Sequence, residues 1–404
     1  MRPTRSGVVA LASVPLLVVV AWLFGQPELA VAAVTLMTTI AGCATFVALR
    51  WPRLEVERTV RPSQVSVGEV CRIQLDVTDV GSSRSPVVGL RDPIGTRGEV
   101  SVLLAPLDAG ERRSVSYPMP TDRRGLHPVG PVRVELEDPF GLVRRRRHIG
   151  GVRSVVVAPR TYPLAQMPAA PGDEPVQGTR PLATNATVEE EFAALRPYAV
   201  GDDIRRIHWR TTARVGEPVV RQYEDRWHRR TTVLLDVDAT RTDPAAFERA
   251  VIVAASVVRM AAEEAGIVRL LTTDGTDSEL VSAADHLPQL MDRLAVVEPV
   301  RTASFAAGLR VLDRGPAARL VAVIGSLDDA TWRGWQDLTR GDGVRVLVTT
   351  TRHDDPAAEP PTSPSAGRGT HVVCWDGSTS LSDVWAAAMA TPARPTPQPR
   401  VTIG

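Results

Sequence analysis

Two stretches hold the side chains that could do chemistry. The first is Asp236-Val237-Asp238-Ala239-Thr240, at the end of the apolar run "TTVLLDVD". Two acids two residues apart, followed by a hydroxyl, can all point into one turn above a sheet. A hard cation such as Mg2+ takes just such carboxylate and hydroxyl oxygens. Thr302 or Ser304, opening a later loop, and Asp328, following the apolar run Leu320 to Ile324, would complete the set. The plainer use of Asp236 is to cap the next helix or pair with an arginine.

The second stretch is "RPYAVGDDIRRIHWRTTARVGEPVVRQYED", Arg196 to Asp225. Gly201 permits a tight turn that a Cβ would hinder, and Asp202 or Asp203 can cap a short helix after it. Ile204 and Ile207, three apart, share a helix face and can dock on a sheet with Trp209, which leaves Arg205, Arg206 and Arg210 free for carboxylates. His208 beside an aspartate has the makings of a general base. No nucleophile motif and no second His at metal spacing accompany it, so catalysis is disfavoured. A structural clamp of Asp–Arg pairs and a surface for a protein partner are the two compatible uses, because Trp, Tyr and Arg anchor interfaces.

The elements around these stretches change character along the chain. From Thr231, short apolar runs ("TTVLLDVD", "IVRLLTTDG", "ARLVAVIGS", "VRVLVTT", "THVVCWDG") alternate with helical segments at Pro244 to Ala265, Leu287 to Leu294, Phe305 to Leu312, "DDATWRGWQDLTR" and Leu381 to Met389. That alternation predicts right-handed βαβ units, a mostly parallel sheet, and ligands beyond the carboxyl ends of its strands. Upstream, "QVSVGEVCRIQLDVTDVG" and "VGPVRVELEDPFGLV" alternate with period two, and several such strands predict a small β-sandwich. Arg144 to Arg147 within it read as a solvated strand end or turn, in preference to a contact with anionic lipid headgroups.

Before the sandwich, Gly7 to Phe24 and Leu29 to Leu49 are each close to the ~20 apolar residues that cross a bilayer. Gly25-Gln26-Pro27-Glu28 turns between them. Arg2 and Arg5 precede the pair and Arg50 and Arg53 follow it, which favours a hairpin with both ends in the cytoplasm. A signal peptide cleaved near Ala30-Val31-Ala32, or a lipoprotein box at "IAGC", would not require the apolar run to continue to Leu49.

Bases and acids nearly cancel, 47 against 46, which with the interleaved acids speaks against a nucleic-acid partner. The bases are all arginine. Cys43, Cys71 and Cys374 lie far apart and form no disulfide framework. The chain therefore divides into a transmembrane helical hairpin (1–53), a β-sandwich-like domain (54–161), a Pro/Ala/Gly-rich linker (162–187) with an Asn185-Ala186-Thr187 sequon that a cytoplasmic topology would leave unused, the charged segment (188–230), a doubly wound α/β domain (231–390) and a disordered tail (391–404).

The order Arg196, Tyr198, Gly201, Asp202, Asp203, Arg205, Ile207, Trp209, Ala213, Arg214 closely resembles the core of the bacterial family known as "domain of unknown function 58"; Arg206 lies within the same run. "RRGLHPVGPVRVELEDPFGLV" and the two apolar spans agree with it. The acid-tipped strand resembles the von Willebrand factor type A domain, whose adhesion site is Asp-x-Ser-x-Ser. Asp238 and Thr240 stand here at the two serine positions, so a Mg2+ site would be a degenerate one. The resemblance implies a membrane-anchored protein carrying a von Willebrand type A-like domain; the arginines flanking the hairpin put the soluble domains of this multi-pass cell-membrane chain on the cytoplasmic side. The resemblance further implies an adaptor working with a MoxR-type AAA+ ATPase and a transglutaminase-like membrane protein in envelope or complex assembly. The competing expectation is a metal-dependent hydrolase using Asp236 and Asp238.

Overall fold

The structure, a computed structural model, describes all residues except 63, 96–97, 169, 171–191, 199–206, 224–228, 313–318, 339–342, 351–369 and 391–404. The chain forms two compact units, Met1–Pro159 and Arg160–Gly404.

The first unit begins with β1 (Arg2–Pro3), α1 (Arg5–Phe24) and α2 (Pro27–Leu49). Both helices are long and apolar enough to cross a bilayer. A core helix of a water-soluble domain would bury its large side chains, yet here Trp22 is 82% exposed and Phe24 72%. Gly25 ends α1 in the left-handed conformation, at φ 64°, and Pro27 starts α2 in its first turn, where a missing N–H costs nothing.

Both ends of this hairpin are held by the β domain. That domain comprises β2 (Leu54–Arg61), β3 (Val65–Ser66), β4 (Cys71–Asp79), β5 (Val88–Ile94), β6 (Gly98–Leu104), β7 (Arg112–Met119), β8 (Gly125–Val129), β9 (Val132–Glu137), β10 (Val143–Ile149) and β11 (Arg153–Ala158). Strand β1 pairs antiparallel with β10, with Arg2 opposite Arg144. The Thr4 N–H donates to the Leu142 carbonyl (2.9 Å), and the Thr4 hydroxyl caps α1 by accepting from the Gly7 N–H (3.0 Å). Gly7 has to be glycine for this approach, because a Cβ there would stand 1.9 Å from the Leu142 carbonyl oxygen. At the other end, Cys43 and Val47 of α2 enter the core formed with Leu136 and Val143.

The β domain has two sheets. One is β2-β4-β7; the other runs β1-β10-β9-β5-β8-β11-β3, with β6 on the free side of β5. Period-two patterning builds the core between them, with Ile73, Leu75 and Val77 from β4 and Val132, Val134 and Leu136 from β9 buried. A charged clamp joins the sheets within that core. Arg58 of β2 donates to both carboxylate oxygens of Asp92 on β5 (2.7 and 3.2 Å) and to the Val129 and Gly151 carbonyls (3.1 Å each). The Tyr117 hydroxyl of β7 donates to the same aspartate, and burial raises the Tyr117 pKa above its ordinary value.

The second unit opens with an extended segment lying on its own domain. Leu164, Met167 and Ala170 are buried, and the Trp385 indole donates to the Ala165 carbonyl (2.8 Å). The first part of the expected linker is thus a packed strap, since its spaced apolar side chains find a hydrophobic surface; 171–187, Asn185 included, lies outside the described residues. Then come β12 (Phe192–Pro197), α3 (Trp209–Val215), β13 (Val219–Tyr223), β14 (Arg230–Leu235), α4 (Pro244–Glu263), β15 (Ile267–Thr272), β16 (Val281–Ser282), α5 (Leu287–Val296), α6 (Phe305–Leu312), β17 (Arg319–Ile324), α7 (Asp329–Leu338), β18 (Val344–Thr349), β19 (Thr370–Cys374) and α8 (Leu381–Ala390).

Strands β14, β15, β17, β18 and β19 are parallel, and the short β16 is an antiparallel edge. The order β16-β15-β14-β17-β18-β19 is a doubly wound one that reverses between β14 and β17. Helix α4, capped by Asp243, packs along β14, β15, β17 and β18. On the other face, Phe305, Leu309 and Leu312 of α6 and Trp335 of α7 pack on Leu234, Leu271, Ala322 and Leu347. At the amino ends of the strands, Glu264 joins Arg229 (2.8 Å) to Arg319 (3.1 Å).

Removing one partner of the buried inter-sheet clamp leaves the other charge uncompensated. Asp92→Ala is expected to destabilise the β domain by about 3–5 kcal/mol. Thermal unfolding of the detergent-solubilised chain checks this, and an unchanged midpoint would mean that the clamp is dispensable.

Candidate functional site

The reversal between β14 and β17 leaves a crevice at the carboxyl ends of the strands, where doubly wound sheets hold their ligands. Asp236 and Asp238 follow β14 into it. Asp236 is 1% exposed, and its Oδ1 accepts from the Thr273 hydroxyl (2.9 Å) and the Asp238 N–H (3.2 Å). Thr273 follows the adjacent β15, and its hydroxyl also accepts from the Val237 N–H (2.9 Å). Asp238 is turned to local work, its Oδ1 accepting from the Thr240 N–H (2.8 Å) and hydroxyl (2.7 Å).

The remaining space is taken by a side chain that the sequence reading did not single out. Arg241 Nε stands 3.9 Å from Asp236 Oδ2, and Arg241 Nη2 stands 3.3 Å from Asp328 Oδ2. Nη2 also donates to the Thr331 hydroxyl and toward the Ser326 carbonyl (3.4 Å). Asp328 in turn accepts from the Thr331 N–H (2.7 Å) in the first turn of α7. The loop after β17 closes on this arrangement. Ser326 donates to the Arg241 carbonyl (2.9 Å), and a Cβ on Gly325 would meet Thr242 Oγ1 at 2.1 Å, so only glycine lets the two loops approach.

Of the five residues read as cation donors, Asp236, Asp238, Thr240 and Asp328 are therefore neighbours. Thr302 is exposed and takes no part in the network among the described residues, whereas the alternative, Ser304, comes near it through its backbone, its N–H donating to the Thr273 carbonyl (3.3 Å). The donors fit a Mg2+ ion poorly, because a guanidinium lies between the two carboxylates that would have to converge on it. Among the described residues, no three His, Cys, Asp or Glu side chains group to hold a metal. Arg241 lies five residues after Asp236, but no local pattern marks it as the residue that meets the acids. Thr273 was legible as the first residue beyond the neighbouring strand.

Burial is the largest influence on Asp236 and pushes its carboxyl pKa above the ordinary range. The Thr273 and Asp238 hydrogen bonds and Arg241 oppose the rise, and the nearby Asp238 charge adds to it.

The charged segment before β14 is a separate structure. Strands β12 and β13 pair antiparallel, with Arg196 opposite Val220. Gly201, Asp202, Asp203, Ile204, Arg205 and Arg206 lie outside the described residues. Ile207 bridges Val220, and the His208 N–H donates to the Val219 carbonyl (2.8 Å). Ile207 is thus in extended backbone, not on a helix, and the three-residue spacing that suggested a shared helical face does not apply. Helix α3 starts at Trp209, capped by the His208 ring, which accepts from the Thr211 N–H (3.3 Å), and it ends at Gly216 in the left-handed conformation. Trp209 is 65% exposed and not docked on the sheet. Arg210 and Arg214 are exposed beside it, and α3 buries none of its residues. Tyr198 is half-buried, and its N–H donates to the Pro218 carbonyl (2.9 Å).

The model of the family described as "Protein of unknown function DUF58" matches residues 194–367, which take in both the α3 segment and the carboxyl-end crevice. This stretch is a DUF58 domain. No curated protein matches the chain. Solved structures similar to it include the CARDB domain of the PF1109 protein of Pyrococcus furiosus (17% identity, 27% of this chain and 88% of that one, TM-score 0.20). Others are the putative ApaA protein of Bordetella pertussis (18%, 26% and 94%, TM-score 0.20) and a PKD domain of an M14-like peptidase from Thermoplasmatales archaeon SCGC AB-540-F20 (16%, 26% and 97%, TM-score 0.18). Scores this low assign neither a fold nor a role to the DUF58 domain.

A carboxyl whose folded pKa is raised is ionised first in the unfolded chain. Its contribution to stability is full below the unfolded value of about 4 and is lost as pH rises through the folded value. Asp236→Asn removes this dependence. The midpoint of the variant minus that of the native protein is expected to increase between pH 4 and pH 7 in thermal melts. A constant difference would show that Asp236 is not perturbed.

Proposed function

We propose that the chain is a membrane-anchored adaptor, its hairpin spanning the cell membrane and its soluble domains on the cytoplasmic side, and that the DUF58 domain binds a protein partner. The observation that carries this reading is α3, a short helix that buries nothing of its own and presents Trp209 beside the exposed Arg210 and Arg214. A large exposed aromatic beside Arg is the composition of an interface anchor. The carboxyl-end crevice supports a binding role over a catalytic one, because its buried acid is already engaged by Thr273 and Arg241. Arg2, Arg5, Arg50 and Arg53 flanking the hairpin support the cytoplasmic orientation. A MoxR-type AAA+ ATPase is the partner that the family resemblance points to, with a transglutaminase-like membrane protein in the same assembly. The order and the antiparallel edge of the sheet are in keeping with a von Willebrand type A-like domain.

Capture of the MoxR-type ATPase from solubilised membranes is the test. Trp209→Ala is expected to weaken capture by roughly 2 kcal/mol, about thirtyfold, while Asp236→Asn leaves it unchanged. Undiminished capture by Trp209→Ala would remove α3 from the interface. Reporter fusions after Arg53 and at the carboxyl terminus check the orientation, and an external signal from both would reverse it.

A further inference from the structure

The run of four arginines in β10 is divided by the strand it lies in. Successive side chains point to opposite faces, so Arg144 and Arg146 share one face and Arg145 and Arg147 the other. On the first face the charges are matched across the ladder. Arg144 stands opposite Glu137 and pairs with it (2.6 Å), and Arg146 stands opposite Glu135 and pairs with it (2.7 Å). On the second face the opposing residues are Leu136 and Val134, which offer no charge. Among the described residues, no carboxylate forms an ion pair with Arg145 or Arg147. The Arg145 guanidinium lies over the ring of Trp51 instead, 4.7 Å from its centroid.

Arg147 lines a groove of about 520 Å³ together with Trp51, Arg53 and His148, over a floor that includes Leu54, Val56, Val134 and Ile149. Two acids also border it. Glu57 is tied to Arg112 (2.9 Å), and Glu55 is exposed. The position of the groove is set by the chain, because Trp51 is the second residue after α2 ends at Leu49. A groove starting there opens where the apolar helices leave the hydrocarbon, at the depth where Trp rings and snorkelling arginines settle.

We propose that this groove is a binding site for an anionic phospholipid, with the phosphate held by Arg147 and Arg53 and the glycerol and upper acyl region against Trp51 and the apolar floor. The inference rests on the membrane-anchored part of the reading above and on nothing in the DUF58 domain. The charge left unmatched on one face only, the aromatic ring beside it, and the apolar floor together select a lipid headgroup over a soluble anion, which would gain nothing from the floor. Unpaired basic residues at a membrane surface strengthen attachment to anionic lipid by about fivefold each.

The test uses the full chain. Carbonate extraction of membranes first establishes that it is embedded; release by carbonate would defeat the anchoring reading itself. Native mass spectrometry of protein purified in equal phosphatidylglycerol and phosphatidylcholine then reads lipid retention. The native chain is expected to retain phosphatidylglycerol over phosphatidylcholine by about fivefold or more. The pair Arg53→Ser with Arg147→Ser should bring the ratio near one, and the pair Arg53→Lys with Arg147→Lys should keep most of it. The pair Arg144→Ser with Arg146→Ser, on the matched face, should leave it unchanged. Equal retention of both lipids by the native chain would overturn the proposal. So would an unchanged ratio in the Arg53/Arg147 serine pair, or an equal loss from the Arg144/Arg146 pair.

Discussion

A charge taken out of water has to be met by another one, and both folded units are organised around that demand. The chain supplies the cation as arginine throughout. Its planar fork reaches several acceptors at once, as a lysine ammonium cannot. Arg58 gathers a carboxylate and two carbonyls between the sheets of the β domain. Arg229 and Arg319 share Glu264 at the amino ends of the parallel strands. Arg241 lies between Asp236 and Asp328 at the opposite ends. The two acids differ in how completely the demand is met. Glu264 is bonded through both oxygens, whereas among the described residues Asp236 Oδ2 meets only the more distant Arg241. Glu264 is therefore a closed joint, and Asp236 keeps one oxygen without a hydrogen bond under the loop after β17.

Strand and helix patterns were legible wherever one face is buried. The period-two runs in β4 and β9 and the alternation of β14 to β19 with helices follow directly from the apolar spacing, and so do the two apolar helices ahead of them. The extended strap at 162–168 was not legible as packed structure, because Pro and Ala carry no periodicity and its buried residues are anchored by backbone groups meeting Ser256 and Trp385. Ile207 misled for a related reason. A three-residue spacing has meaning only if the backbone is helical, and pairing with Val220 keeps it extended.

The candidate site was half legible. Acids after a parallel strand are visible in any sequence, and Asp236, Asp238, Thr240 and Asp328 do meet. What no local pattern announces is which cation meets them. Arg241 enters from five residues downstream because Gly325 lets the loop after β17 press against Thr242. That packing is set by the neighbouring strand and not by the sequence around Asp236. The arginines of β10 make the converse point. As a run they read as a solvated strand end or turn, but they lie within β10, and the ladder register divides them into a matched pair and an unmatched one.

The pairing of β1 with β10 has a mechanical consequence. A domain hung from a single linker swivels freely and transmits no torque to its anchor. Here the chain is fastened to the same β domain on both sides of the hairpin, through Arg2 to Thr4 at one end and through Cys43 and Val47 to β2 at the other. Two points of attachment define an axis and remove rotation about the linker. A pull or twist applied to the β domain is therefore shared between both helices, and the domain turns only if the helix pair turns with it.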